Sequence, residues 1–296
     1  MPAQPLRKPW NGTTRRPTPE MLSIGWFSTG RGEGSRGLLQ FVQERILKGR
    51  LNAQIHFVFS NRSPGEAEGS DQFFGLANSY GLPLVNLSSA DFRRQKGGSF
   101  AQHREEFDRQ ASKLLAGRQP DICVLAGYML ILGGAMCRQY PFLNLHPALP
   151  DGPIGTWQEV IWRLIETKAS QTGAMIHLAT EEVDRGPVVS YCTVPIVGEE
   201  FKSHWEDMRG RDVSEIKAKQ GEEFKLFQLI REEQYQREPY LLFETLRTVA
   251  DGKVSLKEQR LLDAKGKPLS PYGICLDEEI NRAMAEDGLS YGREVN

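Results

Sequence analysis

The stretch Ile122-Cys123-Val124-Leu125-Ala126-Gly127 leaves the fewest folds open to this chain. It has no polar side chain and follows the turn residues Pro120-Asp121. Such a run reads as a strand covered on both faces, and strands of that kind belong to the interior of parallel sheets flanked by helices. Further strands are expected at 22–27, 55–59, 84–87 and 142–146. Helix-period segments separate them, beginning with Leu38-Leu39, Phe41-Val42 and Ile46-Leu47 and continuing at 71–80 and 101–117. The β-α-β-α-β-α-β-α-β order from residue 21 to about 150 predicts an α/β fold with a doubly wound, mostly parallel sheet.

Beyond residue 150 the pattern becomes mixed. A helix is expected at 157–166, and strands at 172–179 and 188–196 are arranged like a hairpin. A charged, irregular stretch follows at 199–221. A long helix spans 222–249 with a break near Pro239, where a backbone donor is missing. Residues 88–100 read as a surface loop. The basic residues of 101–117 read as a solvated helix face. Residues 1–20, rich in Pro, Arg and Thr, read as a flexible arm. The tail, 254–296, is polar, with one weak helix near 276–285.

Charge and cysteine content narrow the function. The net charge is −1, so nothing in the balance favours nucleic acid or a membrane surface. No apolar run has the length of a membrane span. No apolar segment follows Arg7, Lys8, Arg15 and Arg16, so a secretory signal is not expected. The sequon Asn11-Gly12-Thr13 then has no glycosylation to serve. Cys123, Cys137, Cys192 and Cys275 lack the CxxC spacing of a metal or redox site. Cys123 and Cys192 read as small buried hydrophobes, which fits a reducing cytoplasmic setting.

Three places could carry chemistry. In Phe142-Leu143-Asn144-Leu145-His146-Pro147, Asn144 and His146 are two apart on a strand and project from one face. They stand at the carboxyl end of that strand, the edge where open α/β sheets bind ligands. The alternative is a satisfied core histidine beside a turn asparagine. Ser28-Thr29-Gly30-Arg31-Gly32-Glu33-Gly34-Ser35-Arg36-Gly37 joins a strand to a helix. Free N–H groups there suit phosphate or a similar anion, with Gly34, Ser35 and Arg36 as candidates. Gly30-x-Gly32 lacks the third glycine of a dinucleotide fingerprint, and a plain tight turn is the other reading. Tyr128-Met129-Leu130-Ile131-Leu132 is either core or an apolar wall for a flat ligand.

Asn144-Leu145-His146-Pro147, Val183-Asp184-Arg185-Gly186-Pro187, the 125–132 segment and the glycine loop, taken in order, resemble the folate-dependent formyltransferases. Within them the likeness is to the branch that acts on glycinamide ribonucleotide. It covers roughly residues 21–255, the expected main domain, and leaves 256–296 as an extension. It implies a Rossmann-like formyltransferase fold, with a mixed C-terminal part and a helical C-terminal extension. It implies transfer of the formyl group of 10-formyltetrahydrofolate, as co-substrate and without a metal, to glycinamide ribonucleotide in purine synthesis. Asn144 and His146 would hold the formyl oxygen, and Asp184 would assist proton transfer. His177 would support the site from a neighbouring strand. Gly34, Ser35 and Arg36 would take the substrate phosphate. Met129, Leu130, Ile131, Leu132 and Val183 would line the folate. Glu238, aligned on the Asp251-Gly252 turn, would meet the ribotide. The partners implied are these small molecules, with the chain a monomer or homodimer.

The chain departs from the family at Arg36, where asparagine is common, and at Leu130, where an arginine on the folate side is usual. It also departs in Pro150-Asp151-Gly152-Pro153-Ile154-Gly155, where the family has Pro-x-x-Pro-Gly. These departures bear on the acceptor more than on the chemistry. The other readings are formyl transfer to another amine, such as an amino sugar nucleotide, and hydrolysis of 10-formyltetrahydrofolate. Hydrolysis would call for an N-terminal regulatory domain that twenty residues cannot hold. Transfer to methionyl-tRNA would call for a C-terminal RNA-binding barrel, against which the near-neutral tail argues. Outside catalysis stands a nucleotide-binding module.

Overall fold

A computed structural model describes residues 21–257 and 260–289. The arm expected at 1–20 lies outside the described residues. In chain order the elements begin with β1 (Leu22–Phe27), α1 (Glu33–Leu47), β2 (Ala53–Ser60), α2 (Glu68–Ser79) and β3 (Leu84–Asn86). Next come α3 (Ser89–Lys96), α4 (Phe100–Leu114), β4 (Ile122–Leu125), α5 (Gly134–Gln139) and β5 (Phe142–His146). Then follow α6 (Trp157–Glu166), β6 (Gln171–Leu178), β7 (Val188–Pro195), α7 (Glu199–Asp207), α8 (Val213–Gln220) and α9 (Lys225–Ala250). The chain continues through β8 (Val254–Lys257), β9 (Arg260–Asp263), β10 (Ile274–Cys275) and α10 (Asp277–Glu286). Among the described residues no helix is long and apolar enough to cross a membrane.

The chain forms two compact units, each built from three segments. The first comprises 1–144, 178–186 and 247–269. Its strands run β5-β4-β1-β2-β3, all parallel. β4 is buried throughout, as its apolar run requires. The core is aromatic: Phe27 packs edge-on against Phe57, Phe142 and Tyr128. Strand order reverses beside β1, so the loops after β1 and β4 open from one crevice, the place such sheets offer to ligands.

The second unit comprises 145–177, 187–246 and 270–296. β6 and β7 pair antiparallel, and β10 adds parallel to β7. Its core joins Val160, Ile161, Trp162, Leu164 and Ile165 of α6 to Phe201, Ile216, Leu226, Phe227 and Ile230.

The structure departs from the sequence reading in five places. The helix expected from Leu38 begins at Glu33, so Gly34, Ser35 and Arg36 form its first turn. The expected loop 88–100 contains α3, capped by the Ser88 side chain on Asp91 N–H. The stretch 199–221 is α7 and α8, each burying an apolar residue (Phe201, Ile216). Pro239 lies inside α9 without ending it. In the polar tail, β8 and β9 form a hairpin that straddles residue 255, and β10 precedes the expected helix.

Candidate active site

In the first unit, the crevice beside β1 is organised by Thr29, which is 2% exposed. Its hydroxyl donates to Asn61 Oδ1 at 2.7 Å and accepts from Met129 N–H at 2.9 Å. Asn61 donates onward to Ser89 Oγ at 3.0 Å. The ends of β1 and β2 and the loop after β4 are thereby tied into one buried network. Gly30, at φ +66°, must be glycine, because a Cβ would meet the Phe73 ring at 2.8 Å. Just beyond, Gly32 precedes α1 with no side-chain cap, and the first-turn N–H groups include those of Gly34 and Ser35. Helix N-termini favour anions through these N–H groups and the dipole. Ser35 is buried and stands so close to Gly127 that no Cβ fits there. Arg36 is half-buried.

The loop after β4 divides its side chains. Tyr128 packs on the aromatic core, and burial, reinforced by the charge of Asp108, lifts its phenol above the ordinary value. Leu132 joins the core, and Leu130 is half-buried. Met129 and Ile131 are 65% and 46% exposed, and Val183 is 47% exposed. Apolar side chains gathered into an exposed patch mark binding surfaces, whereas single scattered ones are ordinary. A cavity of about 390 Å³ lies between α5 and the segment after β6, lined by Cys137, Arg138, Thr180, Glu181 and Arg185 among others. Arg138 and Glu181 form an ion pair on it.

Asn144, within β5 and in register with Leu125 at the end of β4, donates its Nδ2 to Asp184 Oδ1 at 3.3 Å. Asp184 has φ +55°, a left-handed conformation that aspartate tolerates better than most residues. The turn folds back so tightly that a Cβ at Gly186 would collide with the Leu178 carbonyl oxygen. That close approach gives the Asp-x-Gly-Pro spacing its glycine, two residues after the carboxylate.

In the second unit, His146 is 2% exposed and its Nε2 lies 3.1 Å from the Pro153 carbonyl oxygen. His177, equally buried on β6, meets the His146 ring edge-on with centroids 6.4 Å apart. Gln234 of α9 is fully buried and reaches the adjacent backbone, donating to Pro147 O and Thr172 Oγ1, both at 2.8 Å. Glu238, 7% exposed, is held by the Arg231 guanidinium, which also lies over the Trp157 and Tyr235 rings.

The structure thus joins Asn144 to Asp184 and His146 to His177. It sets Gly34, Ser35 and Arg36 on a helix N-terminus and turns Met129, Ile131 and Val183 outward. It engages Glu238 with an arginine. Sequence reasoning missed Thr29, Asn61, Asp108 and Gln234. Thr29 and Asn61 each follow a strand end and could have been found from that placement. Asp108 and Gln234 lie on charged helices, where nothing separates them from solvated neighbours. Among the described residues no group of three or more His, Cys, Asp or Glu is placed to hold a metal ion.

A formyl transferase family profile matches residues 32–214. The chain is 32% identical to the phosphoribosylglycinamide formyltransferase of Saccharomyces cerevisiae over 183 residues, 58% of this chain and 85% of that protein. It is 27% identical to the Escherichia coli enzyme of the same name, covering 87% of this chain and all of that one. Among solved structures, the phosphoribosylglycinamide formyltransferase from Coxiella burnetii shares the fold with a TM-score of 0.62. The match has 22% identity and covers 86% of this chain and 99% of that one.

Proposed function

The chain belongs to the formyl transferase family, and on that footing we propose that it passes the formyl group of 10-formyltetrahydrofolate to the amine of glycinamide ribonucleotide. The amine attacks the formyl carbon, and the oxygen becomes a tetrahedral oxyanion. Asn144 Nδ2 and the His146 ring donate to that oxygen. Each preorganised donor of this kind is worth about 3 kcal/mol in the transition state. Asp184 accepts the proton of the attacking amine, directly or through one water. The intermediate collapses by breaking the carbon–N10 bond, and the proton ends on N10 of tetrahydrofolate. Met129, Leu130, Ile131 and Val183 pack against the folate, with Leu132 beneath them in the core; the first turn of α1 takes the ribotide phosphate, and Glu238 contacts the ribotide.

The observation that carries the chemistry is the Asn144–Asp184 hydrogen bond at 3.3 Å, on the carboxyl edge of a parallel strand. It supports the reading of Asn144 as the oxyanion donor, because a carboxylate beside it orients its amide. The choice of acceptor is supported by the names of the yeast and Escherichia coli relatives. Purified protein with 10-formyltetrahydrofolate, with and without glycinamide ribonucleotide, tests it. Tetrahydrofolate is expected only when the ribotide is present. Release without any amine would identify a hydrolase instead, and no release in either arm would overturn the proposal.

A further inference from the structure

The loop Gly127–Gly133 poses a physical problem. It presents Met129 and Ile131 to solvent, 65% and 46% exposed, although burying such side chains is favourable. Something must hold its backbone out. One tether is the Thr29 hydroxyl, which accepts from Met129 N–H. The other comes from α4, where the Asp108 carboxylate, 4% exposed, accepts from Gly133 N–H at 2.5 Å.

Gly133 is the residue that α5 starts from. A Cβ there would lie 2.5 Å from Glu105 Oε1 and 2.9 Å from Asp108 Oδ2, so any larger residue would have to push these carboxylates aside. α5 then supplies Cys137 and Arg138 to the wall of the 390 Å³ cavity.

We propose that Asp108 is a positioning residue. Through Gly133 it fixes both the apolar loop against which the folate packs and the start of α5, and so sets the affinity for 10-formyltetrahydrofolate. The proposal rests on the functional reading above. Among the described residues, the charged or titratable groups that face Asp108 are Glu105 and Arg104 on its own helix, Tyr128 in the loop and Cys137 on α5. Burial raises the Asp108 carboxyl to about 6; the Gly133 N–H and Arg104 oppose that rise and Glu105 adds to it. Holding a buried anion costs stability, and a residue serving stability alone would be better neutral. The charge strengthens the hold on Gly133, because bonds to ionised acceptors are the stronger ones.

The test compares the full chain with Asp108→Asn, which keeps an acceptor without the charge, and Asp108→Leu, which removes it. Amide hydrogen exchange over 127–133 and steady-state kinetics between pH 5 and 8 are measured. In Asp108→Leu, exchange across the loop is expected to quicken about tenfold, and KM for 10-formyltetrahydrofolate to rise about tenfold, as befits a lost charge-assisted bond. Its kcat should stay within about twofold, because the reacting groups are untouched. In the unaltered protein KM should climb as pH falls through 6, and in Asp108→Asn it should be flat. Unchanged exchange in both variants, or a fall in melting temperature with KM unmoved, would overturn the proposal. An unaltered protein without formyl transfer would overturn the functional reading, while the exchange measurement still decides the role of Asp108.

Discussion

Asn144 and Asp184 are forty residues apart in sequence and one hydrogen bond apart in space. Neither can be read alone. The asparagine offers two donors and one acceptor oxygen, and the carboxylate takes one of those donors, which turns the amide. Asn144→Ala and His146→Ala are each expected to lower kcat about 10²–10³-fold, the usual loss for one oxyanion donor. Asp184→Asn should lower kcat comparably while leaving the melting temperature near that of the parent. Near-full activity in any of the three would remove that residue from its proposed role. Strand spacing alone put Asn144 and His146 on one face, and the resemblance of the Asp184-x-Gly186-Pro187 turn added the carboxylate; the structure pairs that carboxylate with Asn144. Gln234 was not legible in the sequence, because its contacts are with backbone carbonyls and a hydroxyl distant in sequence. Glu238 shows a different difficulty. Alignment on the Asp251-Gly252 turn picks it out, yet only the structure shows the arginine that shares it.

Helices were easiest to read where local chemistry and packing agree. α6 spans Trp157–Glu166 as expected, with a capping box between Thr156 and Glu159 and five buried apolar side chains. α3 went unread because Phe92 is its one buried residue, too little to set a period. α1 hid its first turn in glycines and a serine, which look like loop when tertiary contacts are invisible. In α9, Pro239 removes one backbone bond, but the neighbouring Tyr240, Leu241, Leu242 and Phe243 are all buried, and that packing outweighs the loss. In the tail the expected helix is α10, while the short strands β8, β9 and β10 had too little sequence to set a period. The tail buries Leu276, Ile280 and Met284 around α10 and adds polar bonds at that helix's start. Asp277, at the start of α10, accepts from Thr193 N–H at 2.8 Å and Thr193 Oγ1 at 2.5 Å, and it faces Arg237, which is 3% exposed. Asp277→Ala takes the carboxylate away from that buried guanidinium and should cost about 3 kcal/mol in urea unfolding. A loss under about 0.5 kcal/mol would mean the tail is only loosely held.

The stability of the protein as a whole should bend with pH at Asp108. Its folded carboxyl titrates at about 6 against an ordinary 3.8, so between those values the folded state binds more protons than the unfolded one. Stability contributed by this group therefore falls as pH rises from about 4 to 6 and levels off above. Asp108→Asn should erase that slope. At pH 8 it should be the more stable protein in urea by no more than about 3 kcal/mol, at about 1.4 kcal/mol for each tenfold change in proton affinity. Equal stability at pH 8 would show that the carboxylate is held without cost. The interleaving of the two units has a consequence for synthesis. The first unit takes its last segment from residues 247–269, and the second from 270–296. Contiguous domains can fold one after another as they leave the ribosome. Here β1 to β5 emerge long before the hairpin that completes their unit. The nascent chain must carry five parallel strands in an exposed, incomplete unit until that hairpin has been made. Slowing elongation would lengthen that exposure, whereas in a protein of sequential domains it would give each domain time to close.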